Sequence, residues 1–319
     1  MHESRILSLV KSKGLVKLTK WALLSLLVTM PTNLFAQMMS PWAMEENFKL
    51  SISASSAYQF KSDLSGGGDV SVSRYALAIG GTRPISEKVG LGVRMSYELD
   101  DYNFSNANSL SAQNPWGNIN RLGLGMRLAY KLTDQWSISG GPVIQSSGEN
   151  GANFSDSLLY GGIVSAMYKA NRDLTVGLGA GVFYRLEETR VFPSLLISWR
   201  ITDRLRLGNS YRLGPAGPAG LELSYILDEN WQVAAGGGHH SLRFRLDKNG
   251  SIPDGIGENY NWPVYARLSR KLGKMLNLDL YGGAAFGGKM KLQDSSGNDI
   301  NSVSYNTAPL MGFNLSATF

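Results

Sequence analysis

The sequence has no cysteine among its 319 residues. This absence excludes disulfide bonds and thiolate metal sites, so backbone pairing and packing must hold the fold together. After residue 36 the chain also lacks a long apolar run, and no segment shows a sustained helical period. Glycine, serine and asparagine are frequent instead, and glycine alone contributes 37 residues. These features favour an all-β domain.

The N-terminal segment has the features of an export signal. Basic residues from Arg5 to Lys20 precede an apolar run over residues 21–30, and the small residue Ala36 precedes Gln37. This run is too short for a membrane-spanning helix, which needs roughly 20 apolar residues. We therefore predict a cleaved signal peptide at residues 1–36, followed by a short periplasmic segment at residues 37–46.

Removal of residues 1–36 takes away most of the positive charge. The full chain carries a net charge of +6, whereas the remainder has 26 Lys and Arg against 24 Asp and Glu, a net charge of +2. The basic character therefore belongs mainly to the signal, and nucleic-acid binding is not predicted.

Apolar and polar residues alternate along the rest of the chain, as in residues 89–100 and 121–131. A period of two is typical of a strand with one apolar face. We count fourteen candidate strands, at residues 47–60, 69–83, 88–102, 117–132, 135–147, 155–169, 173–187, 189–201, 204–213, 218–228, 230–246, 260–271, 275–291 and 304–319.

Tight turns such as Ser86-Glu87 and Asp228-Glu229 alternate with longer loops such as 103–116 and 247–259. This alternation predicts a closed antiparallel transmembrane β-barrel at residues 47–319, with short periplasmic turns and longer extracellular loops. The short connection near 187–189 breaks the alternation, so a barrel of twelve strands stays open at this point.

A soluble sandwich or barrel would show the same alternation with its apolar face turned inward. Aromatic residues flank the tight turns, where a membrane interface favours them. Fourteen strands would also enclose a lumen that only a polar, hydrated face can line. Both observations favour the membrane barrel.

The final strand is strictly alternating, with Met311, Phe313, Leu315, Ala317 and Phe319 on one face. A chain with an export signal and such an ending resembles the transmembrane β-barrels of Gram-negative outer membranes. The resemblance implies a location in the outer membrane, in contact with its lipid and lipopolysaccharide. It also implies that the β-barrel assembly machinery recognises an assembly signal formed by Phe313, Leu315 and Phe319.

Three segments, Ser73–Leu77, Ile197–Leu205 and Tyr281–Gly287, resemble those of an uncharacterised family of outer-membrane barrels. That family is described only as a domain of unknown function. The resemblance implies the fold and the location, and it implies no catalytic residue.

Basic side chains dominate the predicted polar face. The residues that we expect to line the pore are Arg94, Glu98, Asp100, Arg121, Arg127, Arg185, Arg206 and Arg267. A water-filled pore with this lining would attract anions and repel cations, which predicts a passive channel for small anionic solutes. The same arginines could instead pair with the acids and close the lumen, which leaves a structural or surface-contact barrel as an alternative.

His239 and Ser241 form a His-x-Ser pair similar to the dyads of outer-membrane phospholipase and lipid A deacylase. The surrounding residues differ from those families, and only Glu258 or Asn261 on the next strand could orient the histidine. A bulge at the preceding three glycines would turn His239 and Ser241 into the lumen and leave Leu242 and Phe244 facing outward. A lipid-acting hydrolase is therefore the second alternative, and the leading prediction is that the protein is not an enzyme.

Neither a cofactor nor a metal is predicted. The glycines spaced by two at Gly177–Gly181 lie inside a strand without the following helix that a nucleotide site needs. Loops 247–255 and 294–299 contain oxygen ligands, but their spacing does not match a calcium-binding loop.

Overall fold

The computed structural model describes residues 47–107, 110, 114–209 and 220–319. The predicted signal peptide and the periplasmic segment lie outside these residues. The strands are β1 Lys49–Asp63, β2 Asp69–Pro84, β3 Val89–Ser105, β4 Asn118–Lys131, β5 Trp136–Glu149, β6 Leu158–Lys169, β7 Leu174–Arg185, β8 Thr189–Arg200, β9 Leu205–Asn209, β10 Leu221–Ile226, β11 Trp231–Gly237, β12 His240–Arg245, β13 Ile256–Leu272, β14 Leu276–Gln293, β15 Asp299–Tyr305 and β16 Ala308–Thr318. Over the same ranges, no helix has the length and apolar character needed to cross a membrane.

The strands close into an antiparallel ring. Each strand from β1 to β11 pairs with the next, and the ring continues through β13, β14 and β16 back to β1. The closing pair runs in register from Ser51 opposite Thr318 to Gln59 opposite Leu310. Fourteen strands therefore form the wall, as predicted, and twelve is wrong. Of the two extra strands, β12 is the second half of the predicted strand at 230–246, whereas β15 lies mostly in the connection before the predicted strand at 304–319.

The two faces of the wall differ in polarity. On β3, Val93, Met95 and Tyr97 are exposed on the outer face, whereas Glu98 and Asp100 are buried inside. Exposed apolar side chains in alternate positions recur on β2, β4 and β16. Exposure of such a continuous apolar surface to water is energetically unfavourable, whereas contact with the hydrocarbon core of a bilayer is favourable. The arrangement is that of a membrane barrel and not of a soluble barrel with an apolar core.

The tight turns share one hydrogen-bonding pattern, and they define what we call the turn end of the barrel. In each turn one side chain accepts hydrogen bonds from the backbone N–H groups two and three residues further along. The accepting residues are Ser86, Thr133, Asn171, Thr202 and Asp228. Side chains of this type replace missing backbone partners in turns, which explains the repeated sequence pattern.

The longer connections lie at the opposite, loop end, where β12 leaves the wall and crosses the interior. It pairs with the first half of β13, from His240 opposite Asn261 to Arg245 opposite Ile256, and Arg245 also bridges to Gly148 of β5. Leu242 and Phe244 are both 0% exposed. The expectation that these two side chains face outward is therefore wrong.

The inward path of β12 has a local cause. The strand before it, β11, lies between β10 and β13, whereas in the described residues β12 keeps only β13 as a ladder neighbour, apart from the single bridge to β5. Between β11 and β12 the chain runs through Gly238 and His239, outside any strand. Glycine tolerates sharp changes of backbone direction, so this link permits the turn into the lumen while β12 keeps its pairing with β13.

Candidate functional site

An aromatic cluster fills the interior at the loop end. Tyr102, Phe104, Trp116 and Phe244 have ring centroids 5.3–6.4 Å apart, and the closest pair is Trp116 with Phe244 of β12. Their edge-to-face and stacked geometries are favourable for aromatic rings. The predicted pore lining did not include this cluster, although Tyr102 and Phe104 continue the inner register of Asp100. Extending that register beyond residue 100 would have located it.

Two arginines of β12 fasten the segment to the loops, and we call Arg243 and Arg245 the latch. Arg243 donates from Nε to the carbonyl of Arg185 at 2.9 Å and from Nη2 to the carbonyl of Leu186 at 2.8 Å. Its Nη1 donates to Gln293 Oε1 at 2.6 Å. Because its side chain is buried and every nitrogen has an acceptor, Arg243 holds β12 against both neighbouring loops.

The second latch residue binds the loops at residues 154–157, 186–188 and 246–255. Arg245 donates to the carbonyls of Asp156 at 2.9 Å and Asp254 at 2.8 Å, and it pairs with Glu187 Oε1 at 2.7 Å. The hydrogen bond from Arg245 is the main cause that holds the pKa of Glu187 below its usual value of 4.5. Burial opposes it, and a smaller effect of the hydrogen bond from Tyr184 reinforces it. Glu187 has a positive φ of 70°, a strained conformation for a residue with a side chain. The backbone strain of the loop at residues 186–188 therefore lies at the residue that contacts Arg245 of the latch.

A buried ion network lies on the inner face of β3 and β4. Arg121 contacts Glu98 at 2.8 Å and Asp100 at 3.0 Å, and Arg74 lies 3.7 Å from Asp100. The adjoining cavity, which His240 also lines, has a volume of about 40 Å³. That volume has room for a few water molecules and excludes an organic solute. The structure thus brings three predicted pore residues together, in the bracing arrangement that we considered as the alternative.

A second network surrounds Arg267 on β13. Arg267 pairs with Glu222, with 3.0 Å between Nε and Oε2, and with Asp279 at 3.0 Å. Asn314 of the final strand also donates to Asp279, at 3.1 Å. The two acids of this part of the interior therefore share one buried guanidinium, whose positive charge offsets one of their two negative charges.

The remaining predicted pore residues have different surroundings. Arg127 donates to Ser139 at 2.8 Å, and Arg185 lies 5.4 Å from the centre of the Phe192 ring. Both arginines are buried, whereas Arg94 is half-buried and Arg206 is exposed. All the predicted pore residues thus lie on the inner face, but most of them are paired or covered.

The inner face of β6–β8 is more apolar than expected. Its buried side chains include Ile163, Met167, Phe183, Phe192 and Leu196. Glycines on the same face leave space for the largest of them, since a Cβ on Gly161 or Gly181 would collide with the Phe183 ring. The absence of side chains at these two glycines therefore permits the apolar packing of this face.

A larger cavity of about 350 Å³ opens at the turn end, along β7–β10. Its basic side chains are Arg172, Arg200 and Arg206, and its acids are Asp173 and Glu222. Hydroxyl groups of three further residues contribute to the lining, namely Thr175, Ser198 and Ser224. The interior therefore has an open polar cavity at the turn end and a packed aromatic cluster at the loop end.

His239 and Ser241 are both buried at the start of the crossing segment. The His239 ring packs edge to face against Trp262, with centroids 4.6 Å apart. Within the described parts of the chain, no hydrogen bond joins His239 to Ser241, and the His239 Nδ1 atom has no partner. The two suggested orienting residues bind elsewhere, Asn261 to Tyr305 at 2.8 Å and Glu258 near Arg243 at 3.8 Å. The arrangement lacks the contacts that activate a serine.

The expected assembly signal lies on the outer face of β16. Phe313, Leu315 and Phe319 are 45%, 36% and 56% exposed. Phe319 also exchanges backbone hydrogen bonds with Leu50 of β1, at 2.9 and 3.1 Å. The last residue therefore takes part in closing the barrel, and its role in assembly stays a prediction.

A family model described as a domain of unknown function, DUF6268, matches residues 32–318. No curated protein matches the chain. An outer-membrane channel from Pseudomonas putida F1 is 12% identical over 87% of this chain and 97% of that one, with a TM-score of 0.48. A Pseudomonas aeruginosa FadL homologue is 14% identical over 92% and 98% of the two chains, with a TM-score of 0.49. These similarities are too remote to transfer a solute or a mechanism.

Proposed function

The chain belongs to the DUF6268 family of unknown function, and we propose from its own geometry that it is an outer-membrane channel for small, mainly anionic solutes. The apolar outer face supports insertion into a bilayer, in contact with lipid and lipopolysaccharide. The turn end would face the periplasm and the loop end the exterior, as short turns and longer loops do in bacterial barrels. The assembly machinery would insert the chain through its final strand.

The observation that carries this proposal is the position of β12. A barrel with a purely structural role can fill its lumen with side chains from the wall. Here a segment of a wall strand is withdrawn into the lumen and held by seven hydrogen bonds from the latch. Such a segment has two available positions, inside the lumen or beside its neighbours in the wall. We propose that the first position closes the channel and the second opens it.

Unneutralised cations support a preference for anions. Glu98, Asp100, Glu222 and Asp279 are held in the two buried networks. In the described residues, by contrast, no ion pair involves Arg94, Arg172 or Arg206. Surplus positive charge on an inner wall raises the local concentration of anions.

Single-channel recording in planar bilayers under a KCl gradient tests this function. We expect brief openings with a reversal potential on the side of anion preference. Replacing Arg206 by Glu should move the reversal potential toward cations, because its side chain forms no ion pair with a carboxylate of the described residues. Arg94 is less suitable, because Glu98 attracts its charge. Arg121 and Arg127 are unsuitable for the same test, since their replacement would disturb buried contacts.

A closed structural barrel is the second candidate, and the 40 Å³ cavity with its buried networks favours it. This candidate requires that folded protein pass no current at any voltage. The hydrolase alternative gains no support from the surroundings of His239, and loss of lipid cleavage in Ser241→Ala would be its test.

A further inference from the structure

The cavity at the turn end has the size of a small-molecule site. Its volume of about 350 Å³ lies within the range of roughly 300–1,000 Å³ that is common for ligand pockets. It adjoins the turn that contains Arg172 and Asp173, so a solute reaches it directly from the turn end of the barrel. The aromatic cluster and the latch lie at the opposite end and are not part of it.

The acids of this cavity do not neutralise all of its arginines. Asp173 pairs with Arg200, with 2.7 Å between Oδ1 and Nε. Both carboxylate oxygens of Glu222 accept hydrogen bonds from Arg267. Across the described ranges, neither Arg172 nor Arg206 has a carboxylate within ion-pair distance. Two guanidinium groups are therefore left to bind a ligand.

The register of the strands increases the positive charge around Arg206. Arg206 lies directly opposite Arg200 on β8 and directly opposite Ser224 on β10. Like charges in directly opposed positions destabilise a sheet. Asp173 offsets the charge of Arg200, whereas that of Arg206 has no such partner. An anion in the cavity would relieve this repulsion.

We propose that this cavity binds a small oxyanion, carrying a carboxylate or a phosphate group, through the guanidinium of Arg206 with that of Arg172. The planar fork of an arginine matches the geometry of both groups. The hydroxyls of Ser198 and Ser224 line the same cavity and can donate to the remaining oxygens. The role of this site in transport rests on the proposed channel function, where it would be the first station for anions that enter from the turn end.

Isothermal titration of the refolded full-length chain in detergent with inorganic phosphate tests the site. We expect saturable binding by the wild type, and binding weaker by about tenfold or more in Arg206→Gln, because charge-assisted hydrogen bonds are lost. Arg206→Lys keeps the charge and should retain part of the affinity. The matched control is Arg204→Gln, which removes one charge from the adjacent exposed turn outside the cavity and should leave affinity within about twofold of wild type. Heat-modifiable gel migration confirms that each variant is folded.

Two results would overturn the site: no saturable phosphate binding by the wild type, or equal losses of affinity in Arg206→Gln and Arg204→Gln. The outcome is separable from that of the channel. Phosphate binding without any ion current keeps the site and refutes the channel, whereas an ion current without phosphate binding does the reverse.

Discussion

At the residue scale, the interior is organised by arginines with three different roles. Arg121 and Arg267 brace the wall between buried acids. Arg243 and Arg245 hold the crossing strand to the loops. Arg206 forms no ion pair with any other described residue and lines the cavity at the turn end. The sequence predicts that these side chains point inward but cannot assign the roles, because each role depends on which strands lie opposite.

Arg121→Ala should destabilise the barrel strongly. The change leaves Glu98 and Asp100 buried without their main cation, and breaking a buried pair in this way costs about 3–5 kcal/mol. Lys131→Ala is the matched control, because its partner Asp134 is exposed at the turn end. That control should leave the urea midpoint close to that of the wild type, because solvent screens an exposed ion pair. The urea midpoint of unfolding measures both, and equal midpoints would refute a bracing role for Arg121.

Acidification should weaken the latch through Glu187. Its pKa lies below 4.5 because Arg245 donates to its carboxylate. The ion pair therefore contributes its full stability above pH 4.5 and loses it as pH falls through the lowered pKa. We expect the open probability in bilayers to rise over that lower range. Glu187→Gln should already open more often at pH 7 and lack this response, and an unchanged pH profile in Glu187→Gln would contradict the assignment.

At the element scale, the pairing between strands determines where the alternation in the sequence correctly predicts a strand of the barrel wall. β3 and β4 follow their alternation closely because both have neighbours along their whole length. The predicted strand at 230–246 divides into β11, which pairs with β10 and β13, and β12, which in the described residues pairs with β13 and at Arg245 with β5. The alternation in residues 240–245 therefore predicts a strand correctly, but it does not show whether that strand lies in the wall or in the lumen. No local pattern specifies that such a strand crosses the lumen.

Phe319 should contribute to assembly through both its side chain and its backbone. Deletion removes two hydrogen bonds to Leu50 together with the exposed ring, whereas Phe319→Ala removes only the ring. If the ring is the assembly signal, both variants should give similarly reduced amounts of heat-modifiable protein in the outer membrane. Normal amounts in Phe319→Ala would show that closure of the strand pair suffices.

At the scale of the whole molecule, the barrel has an open polar cavity at the turn end, and β12 with the aromatic cluster fills the interior at the loop end. The strand count, the apolar outer face and the inward polar residues could all be predicted, because they follow from a period of two. The closure could not be predicted, since it joins Phe244 to Tyr102 and Trp116 across a lumen whose shape depends on all fourteen strands. The account therefore stands on whether β12 closes a channel that can open.

The open probability of the latch variant Arg243→Ala/Arg245→Ala in planar bilayers tests that claim most directly. Because each lost hydrogen bond contributes about 0.5–1.5 kcal/mol, we expect open probability to rise at least about tenfold over wild type. The control Arg83→Ala/Arg204→Ala removes the same charge from exposed positions at the turn end and should behave as wild type. If the folded latch variant has no higher open probability than this control, the proposed role of β12 in closing the channel is contradicted.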